Sequence, residues 1–250
     1  MSTAANSKAS SGKAANGRRR GADSLRAAKD ALVRQHVMDA SEKVFAEHGF
    51  NQTKMQTIAK QAGVSLATLY QFYSSKQALY RAVLVARDRE MMSAVLQHPV
   101  FQSGQPFTAI SLLSLMQGHL RFQLSHQDYL KLILQEGHAW YHTAAQPTAD
   151  EQALWEQGLK LMITALEHGM QAGELIPADP TDQARLLMAI QQARLASWAA
   201  DGMQDDHETV ITRIQADFVR QFCRPALART LLSEDGSTLC PQALQKIQAG

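Results

Sequence analysis

Residues 53–80 read TKMQTIAKQAGVSLATLYQFYSSKQALY and carry three helix-start signals in close succession. Residues 53–56 have the spacing of a capping box, in which the threonine hydroxyl accepts from the third helical N–H and the glutamine reaches back. Gly63 permits a left-handed turn, and Ser65 soon after it can cap another helix. Residues 74–77 repeat the capping-box spacing before a longer apolar pattern. The stretch therefore predicts two short helices joined by a tight turn, followed by a long helix.

Two short helices joined by a glycine turn are typical of a DNA-reading device, because one helix enters the major groove while the preceding helix crosses the phosphate backbone. On the second short helix, residues 66–73, Leu69 should face inward together with Phe72 or Tyr73. The outward face then carries Leu66, Ala67, Thr68, Tyr70 and Gln71. A glutamine amide can pair with adenine, and hydroxyl groups can donate to phosphate oxygens. The alternative is a helical hairpin whose polar face is only solvated.

Positive charge is concentrated at the N-terminal end of the chain. Residues 1–30 hold seven basic and two acidic side chains, residues 31–80 have a net charge of +2, and the rest has a net charge of −5. This asymmetry favours a polyanion such as DNA, although charge runs are also common in solvated tails. Lys76 would lie at a helix N-terminus, where the dipole and the ammonium both favour a phosphate. Residues 1–24 lack large apolar side chains beyond the initiator methionine, which predicts a disordered basic arm.

Helical spacing continues on both sides of this stretch. Upstream, Val33, Val37, Ala40 and Val44 form one apolar face, and Gly49 stands where a helix C-cap glycine is expected. Downstream, apolar positions recur at three- and four-residue steps. These patterns predict helices over 107–125, 127–142, 148–173, 180–201 and 207–232.

Helix boundaries support this assignment. Thr148 and Glu151 have capping-box spacing, and Pro180 follows Asp179 as a first-turn proline. The sequence has no strand pattern of period two, so we predict an all-α fold. Its domains are a helix-turn-helix DNA-binding domain over 25–85, a helical effector-binding and dimerisation domain over 86–232, and a C-terminal tail over 233–250.

The order of these features resembles the DNA-binding domain of the tetracycline-repressor (TetR) family. The resemblance covers about residues 30–85 and rests on residues 45–50, Thr53, 58–65, 68–76, 78–79 and 83–84. It implies a transcription regulator whose helix-turn-helix binds operator DNA. By this resemblance the DNA contacts fall on Thr53, Lys54, Gln56, Ser65, Leu66, Ala67, Thr68, Tyr70, Gln71 and Lys76.

The chain departs from the family pattern at three positions. Leu66 stands where many members carry a basic residue or glycine, Tyr73 replaces the usual core phenylalanine, and Ser74 replaces a frequent proline. Leu66 either contacts a thymine methyl or packs on the turn. The operator sequence of another member therefore cannot be transferred to this chain.

The resemblance also implies that the last two long helices pair with those of a second subunit in a four-helix bundle, which would present two recognition helices to a palindromic operator. The apolar stripes on 183–199 and 208–232 suit such an interface. Its candidate residues are Leu187, Ile190, Trp198, Ile214, Phe218 and Phe222. The alternative is that these stripes pack within one subunit.

An effector pocket is expected among the helices predicted between residues 107 and 173. Methionine and aromatic side chains suit a large apolar guest, although they equally suit an ordinary core. The candidate lining residues are Phe107, Met116, Phe122, Trp140, Tyr141 and Met162. His138 and His142 stand four residues apart and could hold a metal with Glu136 or His168, but such pairs are more often polar surface groups. We therefore predict no metal and no cofactor.

Other functional classes find little support in the sequence. It contains no G-x-S-x-G, P-loop, G-x-G-x-x-G or H-E-x-x-H motif, so we do not expect an enzyme. The N-terminus has no secretory pattern and no apolar run is long enough for a bilayer, which predicts a cytoplasmic protein. The prediction is a homodimeric, ligand-responsive repressor. The alternative is an architectural or ligand-independent DNA-binding dimer, with an enzyme a remote third.

Overall fold

The computed structural model of the chain describes residues 8–102, 104–135 and 148–249. Within these ranges the regular secondary structure is helical, and extended pairing is confined to two isolated β-bridges. The predicted all-α fold is confirmed. The chain divides into two compact units, Met1–Val83 and Leu84–Gly250, where the sequence placed a domain boundary after residue 85.

The first unit is a small helical domain around an aromatic and aliphatic core. It contains α1 (Lys8–Gln52), α2 (Met55–Gln61), α3 (Leu66–Phe72) and the start of α4 (Lys76–Leu96). Phe45, Ile58, Leu69 and Leu79 come from these four helices and are all fully buried. The ring of Phe45 also packs edge-on against Tyr80, with 4.9 Å between centroids. One buried side chain from each helix therefore fixes how the four elements meet.

The two ends of α1 differ in how well the sequence predicts them. Gly49 interrupts the helix with a φ of 73°, a left-handed conformation that suits glycine, at the predicted C-terminal position. At the other end, residues 8–24 are helical where composition predicted a disordered arm. Alanine, arginine and lysine are frequent there and have high helix propensity, which favours a helix. Residues 1–7 lie outside the described residues.

The second unit contains the end of α4 and all the later helices. These are α5 (Pro99–Gln102), α6 (Ala109–Ser125), α7 (Gln127–Gln135), α8 (Ala149–Gln171), α9 (Pro180–Ala200), α10 (His207–Phe222), α11 (Pro225–Leu231) and α12 (Pro241–Ala249). α9 packs against α8 and α10, and α6 packs against α10 and α12. The core between them includes the fully buried Leu113, Leu120, Leu166 and Phe218. None of the described helices is long and apolar enough to span a membrane.

Two predicted helix starts in the second unit are confirmed. Thr148 Oγ1 accepts from the N–H of Glu151 at 3.3 Å, and the Glu151 carboxylate accepts from the N–H of Thr148 at 2.6 Å, which completes the capping box. Asp179 Oδ1 accepts from the N–H of Asp182 at 2.9 Å, and Pro180 starts α9. The predicted helix 127–142 is described as α7, and its remainder lies outside the described residues.

The predicted helix over 207–232 is wrong, because the chain breaks between α10 and α11. Pro225 has no N–H to continue the ladder of α10 and instead occupies the first turn of α11. At the break, Cys223 has an extended backbone and pairs with Leu175 in a β-bridge. Helix α10 thus ends where the backbone of the buried Cys223 pairs with the loop that precedes α9.

Residues 233–250, predicted as a tail, contain α12 instead. Ala243 and Ile247 of this helix are buried in the core of the second unit. The Ser114 hydroxyl of α6 also donates to the carbonyl of Ile247 at 3.3 Å. The C-terminal segment therefore closes the core over α6.

Candidate functional site

The exposed face of α3 is set by the cap at its N-terminus. Ser65 has an extended backbone, and its Oγ accepts the N–H of Thr68 at 3.0 Å. This cap was predicted and is confirmed. Because Leu69 is fully buried, α3 turns Tyr70, which is 48% exposed, and Gln71 toward solvent. A phenol and a carboxamide on this surface can reach base edges and phosphates in a groove.

The predicted DNA contacts fall into three groups by exposure. Lys54, Gln56, Ser65, Ala67, Tyr70 and Gln71 are exposed. Leu66, Thr68 and Lys76 are half-buried, and Thr53 is buried. The exposed group forms the outward surface of α2, α3 and the turn between them. The side chains of the other two groups are partly or fully covered by the rest of the first unit.

Thr53 does not form the predicted capping box with Gln56. Its hydroxyl donates to the carbonyl of Gly49 at 2.8 Å, so it satisfies the end of α1 and is not turned toward α2. Lys54 is the N-cap residue of α2 and makes no side-chain cap bond. Thr53 is only 3% exposed, so the structure gives it a role at the end of α1, and its contact with DNA stays a prediction.

Lys76 is also engaged within the first unit. Its ammonium donates to the carbonyls of Phe50, Asn51 and Thr53 at 2.6, 3.3 and 3.0 Å, and it lies 4.4 Å from the centroid of the Phe50 ring. An ammonium has three N–H groups, and all three are accounted for by carbonyls. Lys76 therefore has a structural role at the end of α1, where the helix dipole favours a cation, and its contact with a phosphate stays a prediction.

The cap of α4 is shifted by one residue from its predicted position. Ser75 Oγ, rather than the hydroxyl of Ser74, accepts an N–H of the first turn, that of Ala78, at 3.1 Å. Helix α4 then begins at Lys76 and runs without interruption to Leu96. Ser-Ser pairs leave this one-residue ambiguity because both residues can cap.

Arg34 is a site residue that the sequence pattern does not identify. Its guanidinium lies 5.1 Å from the centroid of the Phe72 ring at the end of α3. Burial raises the pKa of the Tyr73 hydroxyl, and the neighbouring Arg34 opposes that rise. Arg34 therefore ties α1 to the recognition helix and adds positive charge at its C-terminal end. The contact joins residues far apart in sequence, so local spacing gives no sign of it.

The second unit contains a cavity of about 40 Å³ between α6, α7, α8 and α9. Its apolar lining consists of Leu130, Ile133, Leu134, Met162, Met188 and Leu195. Its polar lining consists of His119, Gln123, Gln191 and Gln192. The cavity has room for a few water-sized groups, at ~10–15 Å³ each.

Among the described residues that line the cavity, His119 is the one titratable side chain, and its imidazole is neutral at pH 7. His119 keeps part of its surface accessible, yet desolvation lowers the pKa of its imidazole to about 4, against a weaker opposing effect of Gln123. The Oε1 atom of Gln123 is buried and has no hydrogen-bond partner among the described residues. Both side chains line the cavity, and a side-chain hydrogen bond between Gln123 and His119 opposes the fall in the pKa of the imidazole.

The predicted pocket residues are distributed differently from this cavity. Met162 lines it, whereas Phe107 and Met116 are buried in the core. Phe122 stacks on His126 at 4.2 Å between centroids. Trp140 and Tyr141 lie outside the described residues, as do Glu136, His138 and His142. In the part of the chain that is described, no three acidic, cysteine or histidine side chains come together as a metal site.

The predicted dimer-interface residues are mostly used inside the subunit. Leu187, Trp198, Ile214, Phe218 and Phe222 are buried in its own core, and Ile190 is half-buried. This burial favours the alternative in which the stripes pack within one subunit, and the dimer interface stays a prediction. The exposed face of α9 instead carries Leu186, which is 38% exposed, with Ala189, Ala193 and Ser197.

A buried carboxyl on α4 was also missed by sequence reasoning. Asp88 Oδ1 accepts a short hydrogen bond from the hydroxyl of Tyr129 on α7. Burial raises the pKa of the Asp88 carboxyl to about 6, despite hydrogen bonds to Tyr129 and Trp155 that oppose the rise, and the nearby Glu151 adds to it. The second half of α4 is therefore anchored to α7 and α8 through a polar contact inside the second unit.

Comparison with known proteins places the helix-turn-helix in a described family. Residues 37–83 match the model of the bacterial regulatory proteins of the tetR family. The HTH-type transcriptional regulator YhgD of Bacillus subtilis (strain 168), itself uncharacterised, is 25% identical over 174 residues, which cover 70% of this chain and 88% of YhgD. The similarity to YhgD thus extends well beyond the DNA-binding domain.

Solved structures share the fold at low sequence identity. SmeT, the repressor of the Stenotrophomonas maltophilia multidrug efflux pump SmeDEF, is 20% identical with a TM-score of 0.59, over 78% of this chain and 92% of SmeT. FadR from Bacillus subtilis, solved in complex with stearoyl-CoA, is 18% identical with a TM-score of 0.57, over 71% of this chain and 95% of FadR. Together with the family match and the regulator relative, the capped helix-turn-helix identifies the chain as a DNA-binding transcriptional regulator whose residues 37–83 are similar to the bacterial regulatory proteins of the tetR family.

Proposed function

We propose that the protein is a repressor that binds a palindromic operator as a homodimer and releases it when a small, largely apolar ligand binds. The exposed face of α3 carries the DNA-binding part of this proposal, because a buried Leu69 and the Ser65 cap hold Tyr70 and Gln71 outward. The protein acts in the cytoplasm, needs no metal or cofactor, and performs no catalytic step.

Ligand-controlled release is supported by the relatives and by α4. SmeT is a repressor, and FadR was solved with stearoyl-CoA. In this chain α4 is one uninterrupted helix from Lys76 to Leu96, and Asp88 anchors its second half to α7. A ligand that displaces α7 would shift α4 and with it α3. Release then requires that the ligand bind the two states with different affinity.

Dimerisation is assigned to the exposed face of α9. Leu186, Ala189, Ala193 and Ser197 lie three or four residues apart, so they share one side of the helix, and small side chains allow close helix approach. Replacing Ala193 by glutamate is expected to give monomers in sedimentation experiments. Gln245→Glu, the same new charge on the exposed side of α12, should leave the dimer intact.

The proposal is tested by footprinting the region upstream of the protein's own gene and then titrating candidate ligands. A protected site with dyad symmetry that binds two subunits, lost in Tyr70→Ala and Gln71→Ala but kept in Gln245→Ala, supports it. Operator affinity that stays constant at saturating concentrations of every ligand that binds the protein would reject ligand-controlled release.

The second candidate function is a ligand-independent DNA-binding dimer. It is favoured by one observation, the small volume of the cavity, since pockets for drug-sized ligands usually enclose ~300–1,000 Å³. In this second candidate function α3 still reads DNA, but no effector controls binding. The ligand titration distinguishes the two candidates.

A further inference from the structure

We propose that Arg34 positions the recognition helix for sequence discrimination, by holding the C-terminal end of α3 through the Phe72 ring and the Tyr73 hydroxyl. This inference rests on the proposed function, in which α3 reads DNA, and adds a residue of α1 that sets how α3 presents its exposed side chains. Arg34 acts through α3 and does not itself contact a base. The proposal depends on three features of the first unit: the short length of α3, the two contacts of Arg34 and the anchoring of α1 at this point.

Helix α3 is short, so its orientation depends on contacts made at its two ends. It spans only Leu66–Phe72, which is about two turns. Its N-terminal end is fixed by the Ser65 cap, and its middle is fixed by the buried Leu69. Tyr70 and Gln71 lie beyond Leu69, in the last turn. Contacts at the C-terminal end therefore set the direction in which these two exposed side chains point.

Arg34 makes two contacts with the C-terminal end of α3. Its guanidinium lies 5.1 Å from the centroid of the Phe72 ring, within the ~6 Å over which an aromatic face attracts a cation. A side-chain hydrogen bond also joins it to Tyr73, the C-cap residue of α3. A planar guanidinium can lie against one ring and donate N–H groups to another side chain at the same time. Arg34 therefore holds two consecutive residues at this end of the helix.

The hydroxyl of Tyr73 makes the contact with Arg34 directional. Tyr73 is 8% exposed, and a buried tyrosine hydroxyl usually has a hydrogen-bond partner. Burial raises the pKa of this hydroxyl, while the positive charge of Arg34 and the hydrogen bond oppose the rise. Phenylalanine at this position would keep the ring in the core and remove only the hydrogen bond. Tyr73→Phe therefore separates the contribution of the hydrogen bond from that of packing.

The backbone that carries Arg34 belongs to a fixed part of α1. Arg34 stands about one helical turn before Val37, which is fully buried in the first unit. Lys43 provides a matched control, because it is exposed on the same helix about two and a half turns later and hence on the opposite side of α1. Replacing either residue by glutamine removes one positive charge, but only Arg34→Gln breaks the contacts with α3.

The test measures the affinities of the full chain for its operator and for unrelated DNA, in Arg34→Gln, Tyr73→Phe, the double variant and the control Lys43→Gln. We expect the ratio of the two affinities to fall about tenfold in Arg34→Gln and about threefold in Tyr73→Phe. The double variant should resemble Arg34→Gln, because both changes remove the same contact, and Lys43→Gln should keep the ratio. Arg34→Lys should not restore the ratio, since an ammonium lacks the planar arrangement of donors.

Four results would each overturn the assignment. They are an unchanged ratio in Arg34→Gln, a ratio restored by Arg34→Lys, effects that multiply in the double variant, and a slope of log K against log salt lowered by about 0.9 in Arg34→Gln. The lowered slope would mark a phosphate contact, which a positioning residue does not make.

Amide chemical shifts of the free protein separate these outcomes from failure of the proposed function. Without DNA, Arg34→Gln should shift the amides of Tyr70 and Gln71. Tyr73→Phe should shift the same amides and Lys43→Gln should not, and unshifted amides in Arg34→Gln would overturn the assignment. If Tyr70→Ala and Gln71→Ala lose the operator while Arg34→Gln keeps it, α3 still reads DNA and the positioning role fails. If the shifts occur but neither α3 variant changes operator affinity, the DNA-reading role of α3 fails, and the inference that depends on it fails too.

Discussion

Replacing Lys76 by methionine tests the structural role assigned to its ammonium. Three carbonyls and one aromatic ring lose their cation in this variant. Hydrogen bonds to a charged group contribute about 1.5–3 kcal/mol each, but this side chain is half-buried, and water can replace part of what is lost. We therefore expect the free energy of unfolding of the first unit to fall by about 3 kcal/mol, a large part of the ~5–15 kcal/mol typical of a domain.

Hydrogen exchange is the appropriate assay because it reports on α1–α3 separately from the rest of the chain. Slowly exchanging amides of α2 and α3 should exchange about a hundredfold faster in Lys76→Met, which corresponds to about 3 kcal/mol at 1.4 kcal/mol per factor of ten. Exchange rates in Lys76→Arg should lie between those of the unaltered protein and those of Lys76→Met, because a planar guanidinium cannot form three hydrogen bonds from one nitrogen. The control variant Lys60→Met, at an exposed position of α2, should change the amide exchange rates of α2 and α3 by less than threefold.

The same variant distinguishes a structural lysine from a phosphate contact. If all three N–H groups of Lys76 are used by carbonyls, Lys76→Met should leave the salt dependence of operator binding unchanged below its unfolding temperature. A lysine that neutralises a phosphate would lower the slope of log K against log salt by about 0.9 on removal. A slope reduced by that amount, with amide exchange in α1–α3 unaffected, would show that Lys76 contacts a phosphate and does not stabilise the first unit.

Three further perturbations have defined outcomes. Ser65→Ala removes the cap of α3, and urea titrations should show that it lowers the free energy of unfolding by about 1 kcal/mol. Ser74→Ala should leave the free energy of unfolding unchanged. Asp88 has a folded pKa raised to about 6, so its carboxyl favours the folded state below pH 4 and loses that contribution as pH rises through 6. Relative to Asp88→Asn, the unaltered protein should lose about 2 kcal/mol between pH 4 and 7, and a constant difference would contradict this. Deletion of residues 1–24 should reduce the salt slope of DNA binding, and an identical slope would show that this basic segment makes no phosphate contact.

Local signals in the sequence were sufficient for the DNA-binding fold. The cap of α3 at Ser65, the break at Gly49 and the capping box at Thr148 depend on residues within four positions of each other, and the structure confirms all three. Such contacts depend on the local backbone and on side chains a few residues apart, so the sequence is enough to predict them. The helical nature of the whole described chain follows from the same short-range periodicity.

Contacts between distant residues were not predictable in the same way. Thr53 and Lys76 have the residue types of a cap and a phosphate ligand, but the open carbonyls at the end of α1 bind both side chains. The apolar stripes on α9 and α10 predicted burial, but amphipathicity does not say whether the covering surface belongs to the same subunit or to a second one. The polar wall of the cavity depends on how α6 and α9 meet, which no single segment encodes.

The most direct test of the central claim is selection of bound fragments from the genome with purified protein, repeated with Tyr70→Ala, Gln71→Ala and the control Gln245→Ala. We expect one palindromic sequence, recovered by the unaltered protein and the control and lost or relaxed in both α3 variants. Recovery of no preferred sequence, or of the same sequence by all four proteins, would contradict the assignment of α3 as the element that reads DNA.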